Sequence, residues 1–301
     1  MTAEPQRFLQ SLKPPAGLDA LPSFDKGWRM EGDARAPYLS YAGQQDVNWS
    51  DELEDMHEES SRDHFIDVWT RQALIDGIDG FVPRDGVIVD LGCSTGYLLE
   101  DLRKHYPGAF LVGVDLVAAG LPKAHELVPD AALLQADACE LPFSDASVDA
   151  AASANLLEHI PDDERALGEV HRILKPGGRA ALVVPAGPGL YDYYDEFLGH
   201  ERRYGRGELA AKARTAGLEV VLDAHLGSLL FPPFWVTKKV NRRRGRISEQ
   251  EMRQRVVKDI DRTQGSALGS AACKIERRAM ALGIRPPFGI RGYTVVERPS
   301  T

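Results

Sequence analysis

Runs of β-branched and aliphatic residues alternate with stretches of helical periodicity over residues 87–185. In the first run, Val87, Ile88 and Val89 follow one another without a polar residue, which is typical of a strand buried on both faces of a parallel sheet. Further strands are predicted at 110–115, 131–136, 150–154 and 179–185. The helical stretches between them include 97–102, 123–128 and 166–174. This alternation predicts an α/β domain.

The first predicted strand ends in a short glycine turn, Gly92-Cys93-Ser94-Thr95-Gly96, and a helix begins at Tyr97. Backbone N–H groups and the positive end of a helix face a ligand at such a turn. Glycine at both ends lets that ligand approach the backbone closely. Neither the dinucleotide pattern Gly-x-Gly-x-x-Gly nor the triphosphate loop pattern occurs here. The turn therefore predicts a nucleotide-like cofactor of another kind.

An acidic residue at the end of the second strand supports this interpretation. Asp115 follows Gly92 by 23 residues, close to the spacing of about 20 at which an acid reaches a ribose diol. A carboxylate can accept hydrogen bonds from two adjacent hydroxyls at once. The acid predicts an adenosine moiety but does not identify the rest of the cofactor.

The order of these motifs resembles the class I S-adenosylmethionine-dependent methyltransferases. The matching segments are Asp90–Gly96, Gln135–Ala138, Leu141–Asp149, Asn155–Asp162 and Lys175–Gly178, all within residues 87–185. Ser94 stands where that family often has a middle glycine. The resemblance implies a Rossmann-like, doubly wound sheet of seven strands whose last strand is antiparallel, with helical additions.

The same resemblance implies S-adenosyl-L-methionine as the cofactor and S-adenosyl-L-homocysteine as the product. It places an acid of the third strand, Asp137, at the adenine amino group. The implied cofactor contacts are Asp90, Gly92, Cys93, Ser94, Gly96, Asp115, Leu116, Asp137, Ala138 and Asn155.

Three regions are expected outside or within this core. Residues 1–80 are expected to form an N-terminal helical cap over the cofactor, although covering the sheet edge is an equal alternative. The core then comprises 81–227 and 290–301, and 228–289 forms a helical insertion between the last two strands. Residues 1–45, rich in Pro, Gly and Ala, are expected to be mainly irregular.

Histidine is the natural base for a hydroxyl acceptor at neutral pH. His159, just after the fourth strand, and His200, within an aromatic segment, are the candidate catalytic residues, and packing roles are the alternatives. Candidate acceptor contacts are His57, His64, Tyr191, Tyr194 and Tyr204. Asp192, Asp195 and Glu196 show no spacing typical of metal ligands, so no metal site is expected.

Charge is distributed unevenly along the chain, which carries a formal net charge of −9. The first 199 residues hold 15 Lys/Arg against 35 Asp/Glu, whereas the remainder holds 21 against 10. The acidic body argues against general nucleic-acid binding. The basic run Lys238–Arg246, near Trp235, is interpreted as a solvated connector, with anionic lipid or a phosphorylated acceptor as the alternative.

Composition indicates a reducing compartment. Three widely spaced cysteines form neither a disulfide framework nor a zinc pattern, and the N-terminus lacks the apolar core of a signal peptide. We therefore expect a cytoplasmic protein without a membrane-spanning segment. The sequence leaves the oligomeric state open, a homodimer included.

The expected activity is transfer of a methyl group to the oxygen, nitrogen or carbon of a small molecule, as in bacterial specialised metabolism. A lipid-linked or sugar acceptor is one alternative. Another is a protein that binds the cofactor but catalyses cyclisation or no transfer at all.

Overall fold

A computed structural model describes residues 3–41, 62–243, 251, 255 and 265–300 of the chain. Three short strands form a small antiparallel sheet near the N-terminus: β1 (Ser23–Phe24), β2 (Trp28–Arg29) and β3 (Arg35–Ala36). The main sheet contains β4 (Tyr38–Ser40), β5 (Val87–Leu91), β6 (Phe110–Asp115), β7 (Ala132–Gln135), β8 (Val148–Ala154), β9 (Leu174–Pro185), β10 (Glu219–Leu226) and β11 (Arg291–Glu297).

Helices cover both faces of the main sheet. They are α1 (Ala3–Ser11), α2 (Phe65–Ile78), α3 (Tyr97–His105), α4 (Leu121–Leu127), α5 (Asp163–Ile173), α6 (Tyr193–Phe197), α7 (Glu208–Thr215), α8 (Phe231–Arg243) and α9 (Ala267–Ala281). One apolar core includes buried residues of α1, α5 and α7, and a second includes those of α2, α3, α4 and α9. A sheet with two apolar faces therefore lies between two helical layers.

The strands follow the order β10-β11-β9-β8-β5-β6-β7-β4. Neighbouring strands from β9 to β4 are parallel, whereas β11 runs antiparallel to both β9 and β10. Strand β5 lies between β8 and β6, and all five of its residues are buried. A run of apolar residues favours such a position inside a parallel sheet. The predicted α/β fold class and the antiparallel last strand are confirmed.

The order of the strands reverses beside β5. The chain proceeds from β5 through β6 to β7 on one side, and then returns to place β8 and β9 on the other side. Ligands of doubly wound sheets bind outside the carboxyl ends of the strands at such a reversal. The fold thus positions a site at the ends of β5 and β8.

The sheet has one strand more than the seven that were expected. Strand β4 pairs in parallel with β7 at the sheet edge, with Leu39 opposite Leu134. Three residues beside a proline give too short a pattern to predict a strand from sequence. The edge of the sheet is therefore completed by the N-terminal segment.

Residues 3–41 lie within the region expected to form a helical cap, and they pack against the main sheet and its edge. The cap expected over residues 1–80 stays a prediction. Phe8 of α1 packs against Phe143, and Trp28 is fully buried and donates from Nε1 to the Leu133 carbonyl oxygen at 3.0 Å. These residues are part of the core. Burying large aromatic groups of this kind contributes several kcal/mol to folding. Residues 42–61 lie outside the described residues.

The insertion between β10 and β11 is fixed to the core by a buried acid of α9. Glu276, 5 % exposed, accepts hydrogen bonds from the backbone N–H groups of Gly227 and Ser228, both at 2.7 Å, and from Trp69 Nε1 at 3.2 Å. A single carboxylate thereby joins α9 to the end of β10 and to α2. Residues 244–250, 252–254 and 256–264 of this insertion lie outside the described residues.

Within the described ranges, no helix is both long enough and apolar enough to cross a lipid bilayer.

Candidate functional site

A cavity of about 900 Å³ opens at the carboxyl ends of β5, β6, β7 and β8. Its remaining walls come from the start of α2, from residues 192–203, from α8, and from the start of α9. Small-molecule sites typically occupy about 300–1,000 Å³. The cavity therefore has the size and the position expected of a ligand site in this fold.

The glycine turn between β5 and α3 forms part of the cavity wall. Gly92, Ser94 and Gly96 have positive φ angles of 78°, 43° and 86°. Ser94 thus adopts the backbone conformation that favours glycine, at the position where the resembled family often has one. Gly92 and Ser94 line the cavity, and Gly96 does not.

Gly96 serves helix packing rather than close approach of a ligand. A Cβ atom at this position would lie 2.8 Å from the Cβ atom of Ala124 in α4. Gly92 lines the cavity, so its role in close approach of a cofactor stays a prediction, whereas Gly96 packs against α4.

A Gly96→Ala variant is expected to lose at least about 1–2 kcal/mol of unfolding free energy, because alanine is strained at this φ angle. Urea denaturation measures the loss. Gly168→Ala is the matched control, since an added Cβ there meets no atom within 4 Å in α5. The control is expected to gain about 0.5–1 kcal/mol, and equal stability of both variants would contradict the packing role.

Asp115 is held at the cavity wall by two backbone groups. Its Oδ2 accepts a hydrogen bond from the Ser94 N–H at 2.8 Å, and its Oδ1 accepts one from the Val117 N–H at 2.9 Å. Each carboxylate oxygen can accept more than one hydrogen bond. The side chain is therefore fixed in orientation and suited to accept from a pair of hydroxyls.

Most of the predicted cofactor contacts lie together. Gly92, Ser94, Asp115, Leu116, Asp137, Ala138 and Asn155 line the cavity. Cys93 and Asp90 are buried behind that lining, with Asp90 only 1 % exposed. Burial, with the nearby charge of Asp115, raises the pKa of Asp90 to about 8. Its Oδ2 atom has no hydrogen-bond partner among the described residues.

The two candidate histidines lie against each other in the lining of the same cavity. His159 lies on a short 3-10 turn after β8, and its ring centroid is 4.8 Å from that of His200 in an edge-on arrangement. His200 Nδ1 lies 2.9 Å from Oδ1 of Asp195, which is completely buried. Residues 41 positions apart in the sequence are thus brought to one place.

Glu158 is a member of this group that the sequence analysis missed. It lines the cavity beside the histidines, is completely buried, and accepts no hydrogen bond from another described residue. Burial raises its pKa to about 7, with the neighbouring His200 opposing that rise. The available sequence signal was an acid that directly follows two leucines, Leu156 and Leu157.

A network of buried charges supports the histidines. Asp195 accepts hydrogen bonds from Arg203 Nε at 2.6 Å and from Lys238 Nζ at 3.1 Å, and Lys238 also donates to Asp192 at 2.5 Å. Burial and the charge of Arg203 lower the pKa of Lys238. For Asp195, burial acts to raise the pKa, but the hydrogen bond with His200 and the charges of Arg203 and Lys238 hold that pKa below its usual range. These contacts join α6 to α8.

This network corrects the interpretation of the basic run Lys238–Arg246 at its first residue, Lys238, alone. Lys238 is only 5 % exposed and pairs with two acids, so its side chain is neither solvated nor available to a membrane surface. Residues 244–246 lie outside the described residues. Sequence alone gave no sign of this burial, because the acids are more than 40 residues away.

The predicted acceptor contacts are divided. His64 and Tyr194 line the cavity. Tyr191 lies outside the lining and donates its hydroxyl to the His200 carbonyl oxygen at 2.7 Å. Tyr204 is buried and donates to Asp163 Oδ2 at 2.6 Å. His57 lies outside the described residues.

Comparison with known proteins relates the cofactor half of the site to one family. Residues 89–182 match the family described as "Methyltransferase domain". The chain is 36 % identical over 119 residues to the demethylmenaquinone methyltransferase of Thermus thermophilus, covering 38 % of this chain and 53 % of that protein. It is 33 % identical over 110 residues to the chloroplastic 2-methyl-6-phytyl-1,4-hydroquinone methyltransferase of Spinacia oleracea, covering 36 % and 32 %.

Solved structures agree on the fold. A putative sarcosine dimethylglycine methyltransferase from Galdieria sulphuraria superimposes with a TM-score of 0.54 at 15 % identity, over 78 % of this chain and 87 % of that one. A Haloferax volcanii chain from the complex of the Trm112 methyltransferase activator with a putative methyltransferase gives 0.53 at 22 % identity, over 82 % and 97 %.

The similarity to curated relatives is confined to part of each protein. The chain spans about half the length or less of the two relatives named above. The matched residues contain the glycine turn, Asp115, Asp137 and the turn with His159, with the fold and the strand order on which they depend. Residues 89–182 are thus similar to a methyltransferase domain, and the chain shares its fold with the solved structures named above.

Proposed function

We propose that this chain is an S-adenosylmethionine-dependent methyltransferase that acts on a small-molecule acceptor. One observation carries the proposal: the glycine turn and the histidine pair line the same cavity. A cofactor at the glycine turn and an acceptor at the histidine pair would then share one cavity. Such positioning supplies much of the rate enhancement in a displacement reaction.

The residues at the turn fit the cofactor. Asp115 is oriented to accept hydrogen bonds from a ribose diol, and Asp137 and Ala138 lie on the next strand end, where the adenine ring is expected. When bound, the cofactor supplies a methyl group activated by a sulfonium leaving group.

The histidine pair is assigned to the acceptor. Because Asp195 lies against Nδ1 of His200, it fixes the orientation of that ring and leaves Nε2 as the other functional atom. The acceptor's nucleophilic atom forms a bond to the methyl carbon as the carbon–sulfur bond breaks, and S-adenosylhomocysteine remains. A hydroxyl acceptor must also give up its proton, and His159 and His200 are the groups placed to receive it.

The acceptor wall favours a molecule with an apolar body. Phe65, Leu229 and Phe234 line this part of the cavity together with the charged network. Ring stacking and apolar contact suit an aromatic or amphipathic acceptor. The names of the relatives, two of which act on quinones or hydroquinones, support the same class. A place in bacterial specialised metabolism remains part of this proposal.

The test is release of S-adenosylhomocysteine by the purified full chain, supplied with S-adenosylmethionine and a panel of phenols and hydroquinones. Release that depends on one acceptor class, with methylated product detected by mass spectrometry, is the expected result. No binding of the cofactor at millimolar concentration would overturn the proposal. Release only with lipid-linked or sugar acceptors would overturn the acceptor class.

An Asp115→Ala variant is expected to bind S-adenosylmethionine about 5- to 150-fold more weakly, the equivalent of about 1–3 kcal/mol for lost hydrogen bonds to a charged group. Isothermal titration calorimetry measures this change. Asp130→Ala removes an exposed carboxylate from the loop before β7 and is the control. Unchanged affinity in Asp115→Ala would remove Asp115 from the ribose position.

A further inference from the structure

Three side chains in the cavity lining form a cluster. Methyl transfer needs at most one base, so that role does not account for all three. Glu158, His159 and His200 each offer one ligand atom, and these atoms lie within 4.8 Å of one another. Two imidazoles and one carboxylate on one side of a cavity are a known arrangement for divalent transition metals. Three protein ligands leave positions open for further oxygen atoms.

Glu158 provides an independent observation. Its side chain is completely buried and both carboxylate oxygens are without a hydrogen-bond partner among the described residues. A buried carboxylate is strongly unfavourable unless a cation or several donors compensate it. The nearby cations, Arg203 and Lys238, donate to Asp195 and Asp192. The carboxylate of Glu158 therefore faces a position that suits a cation.

His200 carries the support expected of a metal ligand. Metal-binding histidines usually donate their second ring N–H to a carboxylate, which fixes the ring and increases its basicity. Asp195 occupies this place at 2.9 Å from Nδ1, and Arg203 and Lys238 hold Asp195 in turn. With Nδ1 engaged, Nε2 is the atom of His200 that remains for a metal.

We propose that Glu158, His159 and His200 bind one divalent first-row transition cation, whose open positions take an ionisable oxygen of the acceptor. This inference rests on the proposed function and narrows the acceptor to molecules with a hydroxyl or phenol group. A hydroxyl bound to such a cation ionises at lower pH than a free hydroxyl. In this arrangement the histidines hold the cation instead of accepting the proton themselves, and the acceptor proton passes to solvent.

The probe is Mn²⁺ titrated into the tag-free full chain after treatment with EDTA, with the free ion followed by electron paramagnetic resonance. The wild-type protein is expected to bind one equivalent. Glu158→Gln keeps the shape of the side chain and is expected to weaken binding at least tenfold. His64→Gln removes a histidine of the same cavity outside the group, and its affinity is expected to stay within twofold of wild type.

Absence of Mn²⁺ binding by the wild-type chain, or equal affinity in Glu158→Gln, would overturn the metal site. If Glu158→Gln does not fold, as judged by circular dichroism, His159→Gln decides the question by the same measurement. S-adenosylmethionine is titrated into the same metal-free protein. Cofactor binding without Mn²⁺ binding refutes the metal site alone, whereas failure of both refutes the proposed function.

Discussion

Replacement of Asp195 by alanine is expected to lower the free energy of unfolding by about 3–5 kcal/mol. Asp195 is completely buried and accepts hydrogen bonds from Arg203 and Lys238, themselves 7 % and 5 % exposed. Removing the acid leaves these cations without one of their partners in a region of low dielectric. The loss is expected in chemical denaturation, as a lower midpoint with an unchanged slope.

Glu196→Ala is the matched control for this variant. Glu196 is the next residue of α6, but its side chain is exposed and makes no contribution to the buried network. Surface substitutions of this kind usually change stability by no more than about 0.5 kcal/mol. A similar, small effect of both substitutions would show that the buried network does not stabilise the fold.

Single replacement of His159 or His200 by alanine is expected to lower kcat about 100-fold or more, while the affinity for S-adenosylmethionine changes little. The two rings lie against each other and line the cavity on other segments of the chain than Asp115 and the glycine turn. A correctly placed proton acceptor typically contributes a factor of about 100 to 10,000. Steady-state kinetics and calorimetry measure the two quantities separately.

The control is His64→Ala, which removes a third histidine from the cavity wall near α2. We expect its kcat to exceed that of either variant of the pair. If His159→Ala retains full activity and His200→Ala does not, His200 alone serves the acceptor. Full activity of both variants would show that the acceptor needs neither side chain.

The glycine turn and Asp115 could be located from the sequence because their signals are local. A strand, a glycine turn and the start of a helix follow one another within residues 87–97, and Asp115 ends the adjacent strand. Hydrophobic periodicity and turn chemistry are sufficient to read such a unit. The structure adds that Gly92 lines the cavity, whereas Gly96 packs against α4.

The acceptor half was less predictable because its contacts join distant segments. Lys238 reads as part of an exposed basic run until the fold brings it to Asp192 and Asp195. The importance of Glu158 follows from complete burial and the absence of a partner among the described residues, and neither property is visible in sequence. Tyr204 was predicted as an acceptor contact, but its hydroxyl instead donates a hydrogen bond to Asp163 within the core.

The attachment of the insertion through Glu276 has a consequence for how acceptor preference diverges. Helices α8 and α9 belong to one continuous stretch of chain, and the segment shared with the family ends at residue 182, before either helix begins. Substitutions facing inward from these helices can reshape the acceptor pocket while Glu276 keeps its hold on Gly227, Ser228 and Trp69. Changes of acceptor preference through these two helices thus leave the residues of the glycine turn and Asp115 unchanged.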